Sequence, residues 1–173
     1  MNNNKYILKS RGFEIVSDEH RKFLNDDIKL PLRGSKICAG YDFYTNEMIR
    51  LQPGEEHVFW TDIKAYMLSD EVLKIHVRSS SIFNGLNLKN QTGIIDSDYF
   101  SNSKNDGNIG ICLKNITENR PPTISEINSN KTFDSNVFIK KGDRIAQGIL
   151  HKYLESDNCN SNEDRNGGYG STT

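Results

Sequence analysis

Cysteine and proline are scarce in this sequence of 173 residues, which contains three cysteines and four prolines. Cys38, Cys112 and Cys159 are widely spaced and form no CxxC pair, so neither a zinc site nor a disulfide framework is indicated. The first residues lack the apolar core of a signal peptide, and no run approaches the roughly 18 apolar residues of a membrane span. We therefore expect a reduced, soluble, cytoplasmic protein that does not engage a membrane.

An excess of charge of either sign is also absent. The chain carries 22 basic and 23 acidic residues, for a formal net charge of −1. Lys140 and Lys141 form the densest basic pair, and a hairpin turn explains them as well as a binding patch does. Without a basic face, direct binding of nucleic acid is not expected.

Short apolar stretches separated by turn formers make up most of the chain. They are spaced as strands are, with turn signals such as Pro53-Gly54 between them, and helical periodicity is almost missing. This pattern predicts an all-β fold, either a sandwich or a barrel. The segment from Glu155 to Glu163 is rich in Asn, Ser and Asp and has no apolar anchor. We therefore expect one β domain over residues 1–154 and a mobile linker with a C-terminal segment over residues 155–173.

The most informative stretch runs from Asn90 to Tyr99, with the sequence Asn-Gln-Thr-Gly-Ile-Ile-Asp-Ser-Asp-Tyr. Turn formers beside β-branched residues predict a β-hairpin. Asp96 directly follows two isoleucines of the kind that are usually buried, which makes its carboxylate a candidate for chemistry. An Asx-type turn that closes a strand explains the same residues without any function.

Two further groups of residues suit phosphate binding. Arg78 precedes three serines at the end of a predicted strand, where a guanidinium and hydroxyls can hold a polyphosphate. An ordinary polar strand end is the alternative, and no G-x-S-x-G elbow surrounds these serines. Near the C-terminus, Arg165 and Tyr169 lie among glycines. The arginine can grip phosphate and the ring can stack on a base.

The order of five blocks decides between these alternatives. They are Ala39 to Asp42, Arg78 to Ser80, Asn90 to Tyr99, Gly142 to Gln147 and Arg165 to Thr172. From about Leu30 onward the chain resembles the trimeric dUTPase (dUTP diphosphatase) family, whose five motifs occur in this order. The third block, with Gly-Ile-Ile-Asp-Ser-Asp-Tyr, is the most specific. The resemblance implies a jelly-roll-like subunit, a homotrimer with shared active sites, and hydrolysis of dUTP to dUMP and diphosphate.

The resemblance also assigns roles within the third block. Asp96 is cast as the general base that activates a water for in-line attack on the α-phosphorus. Asn90 and the main chain around Gly93 and Ile95 are expected to recognise the uracil edge. Tyr99 is expected to pack against the deoxyribose and to leave no space for a 2′-hydroxyl.

The remaining blocks are expected to hold the triphosphate. The implied phosphate-binding residues are Arg78, Ser79, Ser80 and Gln147. The tail residues Arg165, Tyr169 and Gly170 are expected to close over the site, with the arginine on the terminal phosphate and the ring on uracil. Mg²⁺ is expected to be held by the substrate phosphates and not by a protein cage, and Asp42 is expected to touch it through water.

Two long loops depart from the usual family pattern. Residues from Phe100 to Asp106 intervene between Tyr99 and Gly107, and the excursion from Asn119 to Ser135 is longer than the family norm. The loops from Ser101 to Gly107 and from Asn119 to Ser135 are predicted to lie at the surface, where they could contact a partner protein. In the tail, Tyr169 stands where phenylalanine is usual.

Two rival functions follow from the same resemblance. A dCTP deaminase shares the fold but uses a glutamate in the strand after the third block, and the strand from Ile109 to Leu113 has none. A dUTPase-like regulatory protein that only binds a partner could dispense with Asp96, whereas this chain keeps every expected catalytic residue. We therefore expect an enzyme, without excluding that it also binds a partner.

Overall fold

The computed structural model describes residues 9–118 and 135–158. These residues form twelve β-strands, one α-helix of five residues and two single turns of 3₁₀-helix, which confirms the predicted all-β class. The strands are β1 (Gly12–Ile15), β2 (Leu32–Arg33), β3 (Tyr41–Tyr44), β4 (Ile49–Leu51), β5 (Glu56–Trp60), β6 (Ile63–Tyr66), β7 (Glu71–His76), β8 (Leu86–Leu88), β9 (Thr92–Asp96), β10 (Gly110–Asn115), β11 (Val137–Ile139) and β12 (Arg144–Lys152). The helix α1 spans Ser79–Phe83, and the 3₁₀ turns span Asp18–His20 and Ser97–Tyr99.

The strands pair only in antiparallel fashion and form four sheets. The largest has five strands in the order β2-β3-β12-β7-β9. A second sheet has the order β5-β10-β8, and two strand pairs, β1-β6 and β11-β4, complete the described part. Apart from β2 and β3, the paired strands are not consecutive in the sequence, so long-range pairing determines where the functional residues lie.

The core lies against one face of the five-stranded sheet. Side chains alternate between the two faces of a strand, and Leu73 and Ile75 of β7 are almost completely buried on the inner face. Gly148, opposite Ile75 on β12, keeps that face tight, because a Cβ there would lie 2.8 Å from the ring of Phe43 and 2.9 Å from Leu73. The outer face of the same sheet carries the polar residues considered below.

The predicted β-hairpin around Asn90 is wrong, because the strands on either side of the turn do not pair with each other. Strand β8 pairs with β10, whereas β9 pairs with β7 in a different sheet. The chain changes sheets through a tight turn in which Gln91 takes a positive φ of 61° and its backbone N–H donates to the Leu88 carbonyl at 3.2 Å. Residues on both sides carry strand patterning, so sequence alone suggested that they pair with each other.

Two further features differ from the sequence-based expectations. Ser79–Phe83 forms a short helix after Arg78, and the sequence did not predict a helix at this strand end. The loop from Ser101 to Gly107 is not a simple surface loop, because Asn102 is only 8% exposed and Gly107 is buried as well. Its polar side chains bond the chain's own backbone, which lets part of the loop pack inward.

Candidate active site

One row of paired residues crosses the large sheet and organises the candidate site. Thr92 of β9 lies opposite His76 of β7, which lies opposite Gln147 of β12, which in turn lies opposite Asp42 of β3. Directly paired residues on antiparallel strands share a face. Gln147 and Asp42 therefore lie side by side on the outer face, although 105 positions separate them in the sequence.

Arg78 joins this row from the end of β7. It stands at the start of helix α1, where its Nε donates to Oδ1 of Asp42 at 2.9 Å and its NH1 donates to Oγ of Ser80 at 3.1 Å. Asp42 is buried to 8% exposure, so its charge is balanced mainly by this contact. The ion pair holds the guanidinium in one orientation, beside hydroxyls that can donate to an anion.

A cavity of about 360 Å³ opens on these residues. Its lining is Gly34, Cys38, Gly40, Asp42, Arg78, Ser79, Ser80, Arg144 and Gln147. The guanidinium of Arg144 lies 3.4 Å from Oδ2 of Asp42 and adds a second cation to the cavity. A β-bulge between Arg144 and Ala146 shifts the register of β12 at this point, and bulges of this kind re-aim side chains.

Gly40 and the side chain of Gln147 lie in close contact within the cavity. A Cβ on residue 40 would lie 2.7 Å from Oε1 of Gln147, closer than such atoms approach. Only glycine at this position lets the Gln147 amide lie against the β3 segment. The structure therefore brings together four predicted phosphate-binding residues, Arg78, Ser79, Ser80 and Gln147, with Asp42.

Asp96 lies at the opposite end of the sheet. It is the last residue of β9, half-buried, and paired with Val72 of β7. Several acidic residues lie at this end, and two of them are paired with basic side chains. Asp70 is bonded to Lys152 at 2.6 Å, and Glu71 is bonded to Arg11 at 2.9 Å.

Burial and the negative charge of nearby carboxylates, Asp96 among them, raise the pKa of Tyr153. The hydroxyl of Tyr153 donates to the Ser69 carbonyl at 2.6 Å. This tyrosine therefore lies near Asp96 as a fixed, neutral neighbour.

Asp96 and the phosphate-type cavity are well separated within one chain. Asp96 is four residues along β9 from Thr92 and two strands away from Gln147. With about 3.3 Å per residue and about 4.8 Å per strand, the Cα atoms of Asp96 and Gln147 lie roughly 16 Å apart. Both residues point to the same outer face. Their side chains cannot reach one phosphate together.

The residues expected to read uracil lie beside the row. Asn90 is exposed, and its amide lies close to Gly93, since a Cβ on Gly93 would be 3.8 Å from Nδ2 of Asn90 and 3.1 Å from Cβ of Ile75. Ile95 is partly buried and packs on the core. Ile94 is 53% exposed, so the expectation that both isoleucines are buried is wrong. The alternation of β9 places Ile94 on the outer face with Asp96.

Tyr99 is buried, and its hydroxyl is held by two hydrogen bonds. Only 5% of the residue is exposed, and its hydroxyl donates to the Asn108 carbonyl at 2.9 Å. Nδ2 of Asn105 donates to the same hydroxyl at 2.7 Å. A ring fixed in this way offers a rigid surface and not a flexible contact.

The family model for dUTPase matches residues 26–120. A deoxyuridine 5'-triphosphate nucleotidohydrolase of Lactococcus lactis is 36% identical over 168 residues, which cover 95% of this chain and 99% of that protein. The chain belongs to the dUTPase family. A second nucleotidohydrolase, from Corynebacterium diphtheriae, is 29% identical over 86% of this chain and 88% of its own length.

Solved dUTPase structures have the same fold. The dUTPase from Streptococcus mutans superposes with a TM-score of 0.66 at 32% identity, covering 84% of this chain and 98% of that one. The dUTPase of Staphylococcus bacteriophage 80alpha, solved with dUpNHpp, gives a TM-score of 0.62 at 26% identity, with 89% of each chain covered. These similarities confirm the family that the order of the five motifs indicated.

The sequence did not identify every residue of the site. Arg144 lies in the fourth motif but was given no role, and its contact with Asp42 was not foreseeable without the pairing of β3 and β12. Cys38 lines the cavity, and hydrogen bonding by the Ser35 backbone N–H lowers the pKa of its thiol. Asn105 was included only in an inserted loop, and no motif marked it as a partner of Tyr99.

Three predicted site residues cannot be placed. Arg165, Tyr169 and Gly170 lie outside the described residues. In the described ranges, 9–118 and 135–158, no group of three His, Cys, Asp or Glu side chains could enclose a metal ion. Within the same ranges, no helix is long and apolar enough to cross a bilayer.

Proposed function

We propose that this chain is a dUTP diphosphatase that hydrolyses dUTP to dUMP and diphosphate, which limits uracil incorporation into DNA and supplies dUMP for thymidylate synthesis. The observation that carries the proposal is the cavity in which Arg78, Ser80 and Gln147 converge on a dUTPase-family sheet. A guanidinium and hydroxyls on a rigid frame suit the charged oxygens of a triphosphate.

Asp96 is proposed as the general base. It is half-buried at the end of an edge strand, where its carboxylate can accept a proton from a water poised for attack. The water oxygen bonds to the α-phosphorus as the bond to the bridging oxygen breaks. Diphosphate leaves, and the proton from water passes to the carboxylate.

Selection of deoxyuridine is proposed for the third motif. Asn90 and the backbone at Gly93 and Ile95 would pair with the uracil edge. Gly93 has no side chain, which favours close approach of its backbone to a base, while its contact with Ile75 fixes the strand against the core. Tyr99 would form the wall beside the sugar. A site with such fixed polar groups rejects analogues that leave those groups unpaired.

Mg²⁺ is proposed to bind at this site through the phosphates of the substrate. The oxygens of Asp42 already accept from Arg78 and Arg144, and no described acidic cluster forms a cage. An ion that keeps its waters and binds the phosphates suits such a surface. Bound there, it would neutralise charge on the phosphates. Asp42 would hold one of its waters, while Arg78, Ser79, Ser80 and Gln147 would orient the chain of phosphates.

A homotrimer with shared sites is proposed as the active form. The separation of roughly 16 Å between Asp96 and Gln147 supports it, since the two side chains of one chain cannot reach the same phosphate. In a symmetric assembly the acidic end of one sheet can meet the cation-lined cavity of another copy. Exposed Ile94, beside Asp96 on the outer face, gives that contact an apolar component.

The C-terminal segment is proposed as a lid. Residues 1–154 would form the β domain, and residues 155–173 a linker and closing tail, with Arg165 on the terminal phosphate, Tyr169 on uracil and Gly170 allowing close approach of the backbone. Truncation after Leu154 should leave the assembly intact and abolish most turnover. Normal turnover by the truncated protein would contradict a closing role.

A partner-binding role is a separate proposal. Phage dUTPases, with the 80alpha enzyme as the example, are described as controlling transfer of virulence genes by a proto-oncogenic G protein-like mechanism. In this chain the first predicted contact loop, Ser101 to Gly107, is described and exposes Ser101, Ser103 and Lys104, while residues 119–134 of the second lie outside the described ranges. We also propose a cytoplasmic location, supported by the free thiols of Cys38 and Cys112.

The decisive assay measures diphosphate release from dUTP, dCTP, dTTP and UTP with Mg²⁺. We expect turnover of dUTP and hardly any of the other three. Comparable turnover of dTTP would contradict the proposed uracil site. Deamination of dCTP would instead support the rival enzyme class.

A further inference from the structure

We propose that Asn105, in the loop of residues 101–107, is a positioning residue that fixes Tyr99 and so sets discrimination against ribonucleotides. The inference rests on the proposed function, since it deepens the role of Tyr99 beside the sugar. Asn105 lies outside the five sequence motifs of the family.

The Tyr99 hydroxyl is hydrogen-bonded to the Asn105 side chain and to the Asn108 carbonyl. Nδ2 of Asn105 donates to this hydroxyl at 2.7 Å and to the Asn108 carbonyl at 3.2 Å. The hydroxyl in turn donates to the Asn108 carbonyl at 2.9 Å. These three groups form a closed triangle, in which the tyrosine oxygen is both donor and acceptor.

The side chain of Asn105 is itself held by other residues of the loop. Its Oδ1 accepts from Nδ2 of Asn102 at 2.9 Å and from the Gly107 backbone N–H at 3.2 Å. Asn102 also donates to the Tyr99 carbonyl at 2.8 Å. The loop therefore binds both the backbone and the hydroxyl of Tyr99.

The loop is itself tied to the rest of the protein. Asp106 accepts from the Ser17 backbone N–H at 2.7 Å and from Nζ of Lys64 at 2.9 Å. Gly107 has a φ of 80°, and a Cβ there would lie 2.8 Å from the Tyr99 carbonyl. A segment with this many fixed contacts is a support for Tyr99, not a free surface loop.

Discrimination against ribonucleotides requires that Tyr99 stay rigidly in place. A wall can exclude a 2′-hydroxyl only if it does not move aside when that hydroxyl arrives. The Asn105 hydrogen bond holds the Tyr99 hydroxyl in place and so opposes displacement of the buried side chain. Loss of one such bond is enough to shift a preference by about tenfold. We therefore expect the Asn105→Ala variant to accept UTP better relative to dUTP.

The test compares kcat/KM for dUTP and UTP in five proteins: wild type, Asn105→Ala, Lys104→Ala, Tyr99→Phe and the Tyr99→Phe/Asn105→Ala double variant. Lys104 is exposed in the same loop and serves as the matched control. Asn105→Ala should lower the dUTP/UTP ratio about tenfold, and Lys104→Ala should leave it unchanged. Because the effect runs through the hydroxyl, Asn105→Ala should add little in the Tyr99→Phe background.

A substrate-free readout keeps the inference separate from the proposed function. The ¹³Cζ chemical shift of Tyr99, measured by NMR with labelled tyrosine, reports hydrogen bonding at the hydroxyl and should change in Asn105→Ala and not in Lys104→Ala. An unchanged dUTP/UTP ratio in Asn105→Ala, or the same loss in both backgrounds, would overturn the specificity role. If wild type fails to turn over dUTP, the proposed function fails, and an unchanged Tyr99 chemical shift in Asn105→Ala would separately refute the anchoring.

Discussion

The two halves of the candidate site are built in opposite ways. The phosphate half is assembled from β3, the end of β7 and β12, which are distant in sequence, and it is fixed by the ion pair between Asp42 and Arg78. The deoxyuridine half comes from one continuous stretch, Asn90 to Tyr99, on an edge strand and the turn after it. Sheet pairing positions the first half, and local loop contacts position the second.

Their charges differ as much as their construction. Arg78 and Arg144 give the cavity a cationic lining. At the other end of the sheet Asp96 and Asp98 lie near each other, and Asp70 and Glu71 are paired with Lys152 and Arg11. In the proposed function, the triphosphate binds at the first end and Asp96 accepts a proton at the second. The difference supports the proposal that each chain contributes two half-sites, which are completed only when copies assemble.

The largest expected effect concerns the acidic half. Asp96→Asn should lower kcat by roughly 10²–10⁴, the usual contribution of a general base, with little change in dUTP binding measured by calorimetry. Asp98→Asn, an exposed carboxylate in the adjacent turn, is the matched control and should keep most of the activity. Equal kcat in wild type and Asp96→Asn would remove Asp96 from its proposed role.

The next effect concerns the cationic half. Arg78→Ala should raise KM for dUTP by about 10- to 100-fold, because hydrogen bonds to charged groups are worth about 1.5–3 kcal/mol. Arg144→Ala should raise KM less, since its side chain is 51% exposed and its contact with Asp42 is 3.4 Å long. Steady-state kinetics on both variants distinguishes the two arginines. A larger loss in Arg144→Ala would reverse their proposed ranking.

The same contrast explains what could be predicted from the sequence. Strand positions such as those of β4, β7 and β11 follow from local patterning, and the five motifs indicated the family. The distance between Asp96 and Gln147 did not follow, because it depends on which strands pair across long stretches of chain. The false hairpin at Asn90 has the same origin. Asn105 was missed because its contact with Tyr99 arises from loop geometry, which carries no periodic signal.

A smaller effect tests the fit inside the cavity. Gly40→Ala should raise KM for dUTP several-fold, because the new Cβ would lie 2.7 Å from Oε1 of Gln147 and displace that amide. Gly34→Ala is the matched control, since the nearest atom to its Cβ, Oδ2 of Asp42, is 4.0 Å away. Identical kinetics for the two variants would contradict the proposed contact between Gln147 and the phosphates.

The smallest effect concerns the support of the deoxyuridine half. Burial acts to raise the pKa of Asp106, but hydrogen bonds from Ser17 and Lys64 outweigh it and hold the pKa below its ordinary 3.8. The bonded carboxylate therefore stabilises the fold above about pH 4 and loses this contribution as the pH falls through the lowered value. Asp106→Asn should destabilise the protein by about 1–3 kcal/mol at pH 7.

Thermal unfolding checks this sign. The Tm difference between wild type and Asp106→Asn should be largest near neutral pH and should shrink below pH 4. Asp18→Asn is a suitable control, because the side chain of Asp18 is 85% exposed and its contact with Arg21 is 3.4 Å long. A difference that grows on acidification would show that Asp106 does not act as a bonded carboxylate.

The sharing of the site between copies is tested most directly by complementation. Asp96→Asn and Arg78→Ala chains are produced separately and also together in equal amounts, and diphosphate release from dUTP is measured. At dUTP concentrations well below the raised KM of the Arg78→Ala variant, each variant alone should have little activity. In randomly mixed trimers, roughly one quarter of the sites combine an intact Asp96 from one chain with an intact Arg78 from another, so about that share of wild-type activity should return. Mixed protein that contains both chains but stays as inactive as the separate variants would contradict a site shared between subunits.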